Sequence, residues 1–279
     1  HLAALAEALR LAQAEVFEVA SFYHHFDVVR EDAQGDFPAA PRLTVRVCDG
    51  LPCTMSGAGA LLERLPALLD ADVRVTAVPC IGRCEQAPAV AVGQHALAHA
   101  TPQGVMDAVG AGRIDADLRP GAIDFDTYVA DGGYTLLRAC HAARHDAEAV
   151  IATLEASALR GLGGAGFPAG RKWRIMHGMP APRLLAVNVD EGEPGTFKDR
   201  WYLERDPHRF LEGMLVAAWA VGIDKVYVYV RDEYHGPRAL LARELARLPE
   251  LGLALPPIEL RRGAGAYVCG EEPAMIESI

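Results

Sequence analysis

Hydrophobic positions recur at helical spacing at the start of the chain and alternate like strands soon afterwards. The helical spacing covers residues 2–26. Alternating apolar residues then predict three strands, over residues 43–47, 73–78 and 89–92. Residues 58–69 have helical spacing, with a bend or break expected at Pro66. Thr101 and Pro102 are typical of the start of a further helix, so this part predicts a small α/β domain.

The second half of the chain alternates strand and helix patterns. Residues 184–189 and 225–230 predict buried strands. The helix between them has an apolar face that begins at Leu211 and continues to Trp219 at i, i+3, i+4, i+7 and i+8. Another helix and a strand over 258–260 follow, so the pattern predicts a layered α/β domain.

The fold class is therefore α/β, and the chain divides into consecutive parts. The boundary between the two α/β domains is a charged segment with Pro120 and Gly121, which is typical of a linker. The predicted parts are a helical segment (1–34), the small α/β domain (42–113), the linker (114–134) and the layered α/β domain (135–279).

Composition narrows the possible partners and location. The chain has 279 residues and a net charge of −10, which does not suggest a nucleic-acid partner. Its apolar runs are shorter than the roughly 18 residues of a membrane span, so we expect no membrane insertion. The helical pattern starts directly at His1 without a signal peptide, which favours a fragment of a longer protein. Cysteine usage favours a reducing cytoplasm.

Four of the six cysteines lie in one short window, in two pairs that each follow a predicted strand. Cys48 and Cys53 are separated by four residues, and Cys80 and Cys84 by three. Thiolates suit iron–sulfur clusters or zinc, although structural zinc sites usually have tighter spacing. The pattern favours a [2Fe-2S] cluster over zinc or free thiols.

A glycine-rich loop follows the helical pattern of residues 149–160. Gly161, Gly163 and Gly166 satisfy G-x-G-x-x-G, but a dinucleotide fold requires a strand before the first glycine. Glycines allow backbone amides to approach an anion, and Lys172 adds a positive charge. The loop therefore predicts a phosphate site, with a plain surface turn as the alternative.

Two further loops carry carboxylates after predicted strands, at residues 188–200 and 261–272. Strand ends of α/β sheets are where ligands bind, and carboxylates accept hydrogen bonds from ligand hydroxyls. By itself the first of these loops is also compatible with a solvated acidic turn.

The cysteine spacing, together with Gln86-Ala87-Pro88 and the upstream Ser21-Phe22-Tyr23-His24-His25-Phe26, resembles the thioredoxin-like [2Fe-2S] ferredoxins of respiratory complex I. The resemblance covers the chain to about residue 113. It implies that Cys48, Cys53, Cys80 and Cys84 bind the cluster.

Together, the three glycine- and carboxylate-bearing loops are similar to the flavin-bearing, NADH-oxidising subunit of complex I and of NAD-linked hydrogenases and formate dehydrogenases. This resemblance covers about residues 135–279 and implies a layered domain that binds FMN and NAD. It assigns the FMN phosphate to Gly161, Gly163, Gly164 and Lys172. It assigns the ribityl chain and ring to Asn188, Asp190 and Glu191. It assigns the nicotinamide nucleotide to Phe167, which would stack on it, and to Glu193, which would hydrogen-bond it near the flavin as the catalytic-site residue. It assigns the other wall of the nucleotide site to Tyr267, Gly270, Glu271 and Glu272.

Two positions depart from the family pattern, because Leu162 stands where an arginine is usual and Ile175 where an aromatic is frequent. They affect how the adenine half of NADH is held. Fusion of ferredoxin and flavin parts on one chain resembles the diaphorase subunits of NAD-reducing hydrogenase and formate dehydrogenase. The residues around the glycine loop resemble most the formate dehydrogenase beta subunit.

The resemblance implies a diaphorase module that exchanges hydride between NAD and FMN and single electrons with iron–sulfur clusters. Its implied partners are other iron–sulfur subunits and a subunit that oxidises formate or hydrogen. A [4Fe-4S] cluster is expected only in a C-terminal part beyond Ile279. The alternatives are a complex I or hydrogenase flavin subunit, a non-catalytic electron-transfer or scaffold subunit, and a thiol-based redox sensor with lowered cysteine pKa values.

Overall fold

The computed structural model describes residues 1–31, 33 and 35–279. Asp32 and Gln34 lie outside the described residues, so the predicted end of the helical segment at Gln34 is not described. The helices are α1 (Leu2–Leu9), α2 (Gln13–Phe22), α3 (Leu51–Met55), α4 (Ala58–Leu68), α5 (Pro102–Gly110), α6 (Phe125–Ala130), α7 (Thr135–His141), α8 (Ala147–Ala156), α9 (Ala169–His177), α10 (Lys198–Leu203), α11 (Pro207–Val221), α12 (His235–Leu245) and α13 (Glu272–Ser278). Among the described residues, no helix is long and apolar enough to cross a membrane.

The strands are β1 (Leu43–Cys48), β2 (Val73–Val78), β3 (Val90–Val92), β4 (His95–Leu97), β5 (Leu184–Val189), β6 (Lys225–Val230) and β7 (Ile258–Arg262). The chain forms two compact units. The first contains His1–Ala116, Gly192–Thr196 and Ala264–Glu271. The second contains Asp117–Glu191, Phe197–Gly263 and Glu272–Ile279.

The first unit is built on a four-stranded sheet in the order β2-β1-β3-β4. Strand β1 pairs parallel with β2 and antiparallel with β3. Its inward residues Val45 and Val47 are fully buried and belong to one core with Leu61 and Leu65 of α4 and Val105 of α5. This confirms the predicted small α/β domain, because the apolar side chains of the strand and of α4 and α5 pack into one core.

Three predictions in this unit need correction. The helical pattern of residues 2–26 forms two helices, because Arg10 adopts a left-handed conformation that ends α1, and α2 ends at Phe22. Pro66 does not break α4, which continues to Leu68 while Leu61 and Leu65 bury its inner face. Strand β4 was not predicted, because its residues His95–Leu97 carry no run of apolar residues like that of β3.

The second unit is built on a parallel three-stranded sheet in the order β5-β6-β7. The central strand β6 places Val226, Val228 and Val230 in full burial, as expected for a strand with neighbours on both sides. Helix α11 adds the fully buried Leu211 and the nearly fully buried Leu215 to the same core, which confirms the predicted apolar face of this helix.

Two predictions in this unit are wrong. Strand β5 is only half-buried: Leu184 is 56% exposed, whereas Leu185 and Val187 pack against the core, as expected for a strand at an edge of the sheet with one face exposed. The predicted linker at 114–134 is also not a plain linker. It contains α6, which begins at the N-cap Asp124, and it buries Phe125 and Tyr128 in the core of the second unit. The sequence pattern was misleading because charged residues and the Pro-Gly pair are typical of a linker, although the same segment carries two aromatic side chains that are buried.

Candidate functional site

The four cysteines of the predicted cluster come together at one edge of the first sheet. Cys48 ends β1, opposite Val78 at the end of the parallel strand β2, and Cys80 follows two residues later. Cys53 lies in the short helix α3, and Cys84 begins a 3-10 turn. The Sγ atoms of Cys80 and Cys84 are 3.4 Å apart. Parallel strand ends thus bring two loops, and with them all four thiols, to one place.

Backbone amides point at all four of these sulfur atoms, with those of Gly50 and Ile81 at Cys48. The Gly82 amide donates to Cys80 Sγ at 3.4 Å, and the Ala89 amide donates to Cys53 Sγ at 3.4 Å. The Gly195 amide donates to Cys84 Sγ at 3.0 Å. Donors of this kind stabilise negative charge on sulfur and are a means of tuning iron–sulfur clusters.

Hydrogen bonding and burial raise the pKa values of two of the thiols. The hydrogen bond with Cys80, followed by burial, raises the pKa of Cys48. Burial raises the pKa of Cys84 to about 11, although the hydrogen bond from Gly195 acts in the opposite direction. A reactive thiol sensor requires lowered pKa values. These thiols lose their protons when a metal replaces them, as metal ligands do.

The arrangement of donors fits a two-iron cluster. In the described part of the chain, no three His, Cys, Asp or Glu side chains converge on a single ion. A [2Fe-2S] cluster with four thiolates does not require such convergence, because each iron takes two of them. The two other cysteines, Cys140 and Cys269, are buried among core residues.

The glycine-rich loop is an open, exposed loop between α8 and α9, closed at its base. Arg160 and Pro168 form an isolated antiparallel bridge, and the Gly161 amide donates to the Phe167 carbonyl at 3.0 Å. Gly164 and Gly166 have φ values of +93° and +60°, which favour glycine. A Cβ atom at Gly163, Gly164 or Gly166 would have no described atom within 4 Å.

This loop fits a phosphate for two reasons. The space beside the bare glycines is free for a ligand, and amides next to glycine can approach an anion closely. Lys172 lies exposed in the first turn of α9, directly after the loop. Phe167 is also exposed. Because the helix before the loop is α8, the prediction that no strand precedes the first glycine is confirmed.

In the second unit, the carboxyl ends of the three parallel strands meet. Asp190 follows β5, Arg231 follows β6 and Gly263 follows β7. A Cβ atom at Gly263 would lie 3.1 Å from Arg231 Cα and 3.3 Å from Asp190 Oδ2, so the backbone of Gly263 lies close to both residues. The Asn188 side chain accepts a hydrogen bond from the Asp190 amide at 2.9 Å. Asn188 and Asp190 therefore lie at the carboxyl end of the sheet, where ligand binding is predicted.

The side chain of Glu191 differs from that of its neighbours because it is buried and fully engaged within the protein. It accepts hydrogen bonds from Lys198 Nζ at 3.3 Å, from the Asp199 amide at 3.1 Å and from the Tyr234 hydroxyl at 2.8 Å. Arg231 donates to its backbone carbonyl. The hydrogen bonds of this carboxylate thus hold the loop after β5 in place. Its direct contact with the ribityl chain stays a prediction.

The residues predicted near the nicotinamide lie partly in the first unit. There the Tyr267 hydroxyl donates to the Glu193 carboxylate at 3.3 Å. A Cβ atom at Gly192 would lie 2.8 Å from the Tyr267 ring, so the glycine allows this close approach. Gly270 ends the 3-10 turn that begins at Tyr267.

The remaining predicted residues are divided between the units. Glu271 follows the 3-10 turn in the first unit, whereas Glu272 begins α13 in the second. The structure thus brings together the four cysteines, Glu193 with Tyr267, and Asn188 with Asp190. The direct ligand contacts of every predicted residue stay predictions.

Sequence reasoning did not identify four residues that the structure places at these loops, namely Gly195, Lys198, Arg231 and Tyr234. Arg231 and Tyr234 follow the end of β6, so the same rule about strand ends that selected Asn188 would have selected them. The contact of Gly195 with Cys84 joins residues that are far apart in the sequence. It had no sequence signal.

Both halves of the chain match known families. Residues 1–112 match the family model of the thioredoxin-like [2Fe-2S] ferredoxin, and residues 154–279 match the model of the Nuo51 FMN-binding domain. These matches confirm the predicted fold class, with a ferredoxin domain followed by an FMN-binding domain. They also agree with the four-thiol site and the open glycine loop.

Individual relatives match part or nearly all of the chain. A subunit of the NADH-quinone oxidoreductase of Aquifex aeolicus is 41% identical over 58% of this chain and 39% of that protein. The alpha subunit of the NAD-reducing hydrogenase HoxS of Cupriavidus necator is 32% identical over 98% of this chain and 51% of that protein. The crystal structure of an NAD⁺-reducing [NiFe]-hydrogenase in the H₂-reduced state superposes with a TM-score of 0.76 and 32% identity, over 99% of this chain and 51% of that chain.

The chain thus spans about half, or less, of the length of these relatives. The alignment with the HoxS alpha subunit nevertheless includes nearly the whole of this chain. Family matches, thiol geometry and loop geometry lead to one conclusion: the chain consists of a thioredoxin-like [2Fe-2S] ferredoxin domain followed by an FMN-binding domain of the complex I 51 kDa type.

Proposed function

We propose that this chain is the diaphorase module of an NAD-linked oxidoreductase, exchanging hydride between NAD(H) and FMN and single electrons with iron–sulfur clusters. The observation that carries the proposal is the presence of a four-thiol cluster site and an FMN-binding domain on one chain. NAD(H) exchanges two electrons as hydride and clusters accept one at a time, so a chain that holds both kinds of site requires a flavin between them.

The second unit would hold FMN through the glycine loop and the strand ends. Amides around Gly163 and Gly164 and the ammonium of Lys172 would bind its phosphate. Asn188 and Asp190 would accept hydrogen bonds from its ribityl hydroxyls, on a loop that the buried Glu191 carboxylate fixes. When bound, FMN supplies the conversion between hydride and single-electron transfer.

The residues near the nicotinamide would orient the nucleotide rather than transfer protons. Hydride transfer requires the two rings at a short distance and in a defined orientation. Glu193 would accept a hydrogen bond from the nucleotide, with its carboxylate held by the Tyr267 hydroxyl. The exposed Phe167 ring would stack on the nucleotide.

The partner enzyme is the finer part of the proposal. The residues around the glycine loop resemble the formate dehydrogenase beta subunit, so we propose formate as the electron donor of the complete enzyme. The likeness to the HoxS alpha subunit over 98% of this chain favours a second candidate, the NAD-reducing hydrogenase. In both cases further iron–sulfur subunits, a [4Fe-4S] cluster and a subunit that oxidises formate or hydrogen complete the enzyme.

The decisive experiment is an optical spectrum of the complete protein, purified without oxygen, before and after addition of NADH. Iron and FMN are quantified in the same sample. We expect about one FMN per chain, an iron–sulfur spectrum, and bleaching of the flavin band by NADH. Replacing NADH by formate or by hydrogen, with NAD⁺ as acceptor, then separates the two partner enzymes.

Two other outcomes would reject the proposal. A cluster spectrum without flavin and without response to NADH would identify an electron-transfer or scaffold subunit. Absence of iron, with thiols that react rapidly with alkylating reagents, would identify a thiol sensor. Glu193→Gln tests the predicted nicotinamide site. Glu250→Gln is its matched control for a general effect of losing a carboxylate, because Glu250 is paired with Arg247 away from the predicted loops.

A further inference from the structure

The segment Glu193–Thr196, which we call the 193–196 turn, has the geometry of a type II β-turn. The Thr196 amide donates to the Glu193 carbonyl at 3.0 Å, which closes the turn. Pro194 occupies the second position and Gly195 the third, with φ +92°. Type II turns favour proline at the second position and require positive φ at the third, which glycine or asparagine supplies.

The central peptide of this turn is directed at a predicted cluster ligand. The Gly195 amide donates to Cys84 Sγ at 3.0 Å, and both residues belong to the first unit. Cys84 Sγ is in turn 3.4 Å from Cys80 Sγ. The Gly195 contact is shorter than those of the Gly82 and Ala89 amides, and Gly195 lies farther along the sequence from its sulfur partner than either of them.

The type of turn decides whether this hydrogen bond exists. Type I and type II turns differ by a flip of the central peptide, which here carries the amide of Gly195. In a type I turn, that amide would point away from Cys84. The hydrogen bond therefore depends on the positive φ of Gly195.

We propose that the Gly195 amide is a positioning group that tunes the [2Fe-2S] cluster, raising its reduction potential through Cys84. The inference rests on the proposed function, because it takes Cys84 as a cluster ligand. Reduction adds one negative charge to the cluster, and hydrogen bonds to its sulfur atoms stabilise the more negative form. A segment of the flavoprotein half of the sequence thus sets how readily the cluster accepts an electron.

The test is a redox titration of the cluster, monitored by EPR, in the complete protein and two variants. Gly195→Ala disfavours positive φ and so favours the type I turn, whereas Gly195→Asn retains the type II turn. We expect the alanine variant to shift the reduction equilibrium about tenfold towards the oxidised cluster, which is about 59 mV for a one-electron couple. The asparagine variant should titrate close to the unaltered protein.

Gly132→Ala is the matched control, because Gly132 has φ +89° and a Cβ there would have no described atom within 4 Å. It places alanine at a positive φ as Gly195→Ala does, but away from the thiols, so we expect the reduction potential of the cluster to be unchanged. Equal potentials in the alanine, asparagine and unaltered proteins would overturn the inference while leaving the proposed function intact. Absence of a [2Fe-2S] signal in the unaltered protein would instead reject the proposed function.

If the alanine variant assembles no cluster, pulsed EPR of the reduced cluster decides. Protein labelled with ¹⁵N-glycine should show a weak nitrogen coupling from position 195, in addition to those of Gly82 and Gly50. Gly195→Asn in the same labelled medium should lose that contribution while keeping the cluster. Identical couplings in the two proteins would overturn the inference.

Discussion

Lys172 and the glycines of residues 161–166 illustrate how individual residues would contribute to the predicted flavin site. The glycines leave space beside the backbone, and Lys172 adds the one lysine of the loop and its following helix. A lysine gives a phosphate a compact positive charge, whereas the amides give it directed hydrogen bonds. The two contributions can therefore be removed separately.

Lys172→Ala should weaken FMN binding without unfolding the protein, because the side chain is exposed. A hydrogen bond to a charged group contributes roughly 1.5–3 kcal/mol, so we expect FMN affinity to fall about 10- to 100-fold. Fluorescence titration of the apoprotein with FMN measures this. Arg144→Ala removes another exposed cation of the second unit and should leave the affinity unchanged; an equal loss there would show a general effect of charge.

At the scale of elements, the position of the glycine loop depends on how α9 packs on α8. Gly170 lies in the first turn of α9 and is buried. A Cβ atom there would lie 2.4 Å from the Glu155 backbone nitrogen and 2.7 Å from its Cα. Arg174 binds the Glu155 carboxylate across the same pair of helices. Because backbone atoms cannot give way as side chains do, this contact fixes α9 and with it the end of the loop.

Gly170→Ala should therefore destabilise the protein and reduce its FMN content together. Overpacking of this kind costs about 1–3 kcal/mol. Gly213→Ala is the matched control in α11, where a Cβ would have no described atom within 4 Å, and it should raise stability by about 0.5–1 kcal/mol. Urea unfolding and bound FMN per chain are the measurements. Wild-type stability in the Gly170 variant would show that the helices separate without cost.

At the scale of the whole molecule, the residues predicted to bind the cluster and those predicted to bind FMN belong to different units. All four cysteines belong to the first unit, whereas the glycine loop, Lys172, Asn188 and Asp190 belong to the second. A ligand stabilises the part of a protein that binds it, by an amount set by its concentration relative to Kd. Each cofactor should therefore stabilise its own unit most.

Calorimetry of the complete protein should show this selectivity. FMN at one hundred times its Kd should stabilise the second unit by about 2.7 kcal/mol, and riboflavin, which lacks the phosphate, should do so far less. Removal of iron with a chelator and a reductant should lower the unfolding transition of the first unit. A single transition that responds equally to both treatments would contradict this assignment.

Local patterns in the sequence were sufficient for most of the elements and for the chemistry of the site. Alternation in β1 and β6 and the helical spacing of α11 predicted these elements because each buries an apolar face. Cysteine spacing predicted the cluster, and the glycine loop and the strand ends predicted the flavin site, because these signals lie within short segments. The sequence failed where neighbours in space decide the outcome, as in the exposure of the edge strand β5 and the burial of Phe125 in the supposed linker.

What the sequence by itself determined is thus the set of chemical groups: four soft sulfur ligands, a bare glycine backbone, and carboxylates after strands. Tertiary structure alone decided which groups are free to bind and which hold the protein together. It directed the Glu191 carboxylate to Lys198 and Tyr234 and the Gly195 amide to Cys84. The physical reason is that burial and hydrogen bonding join residues far apart in the chain, where no local pattern reports the partner.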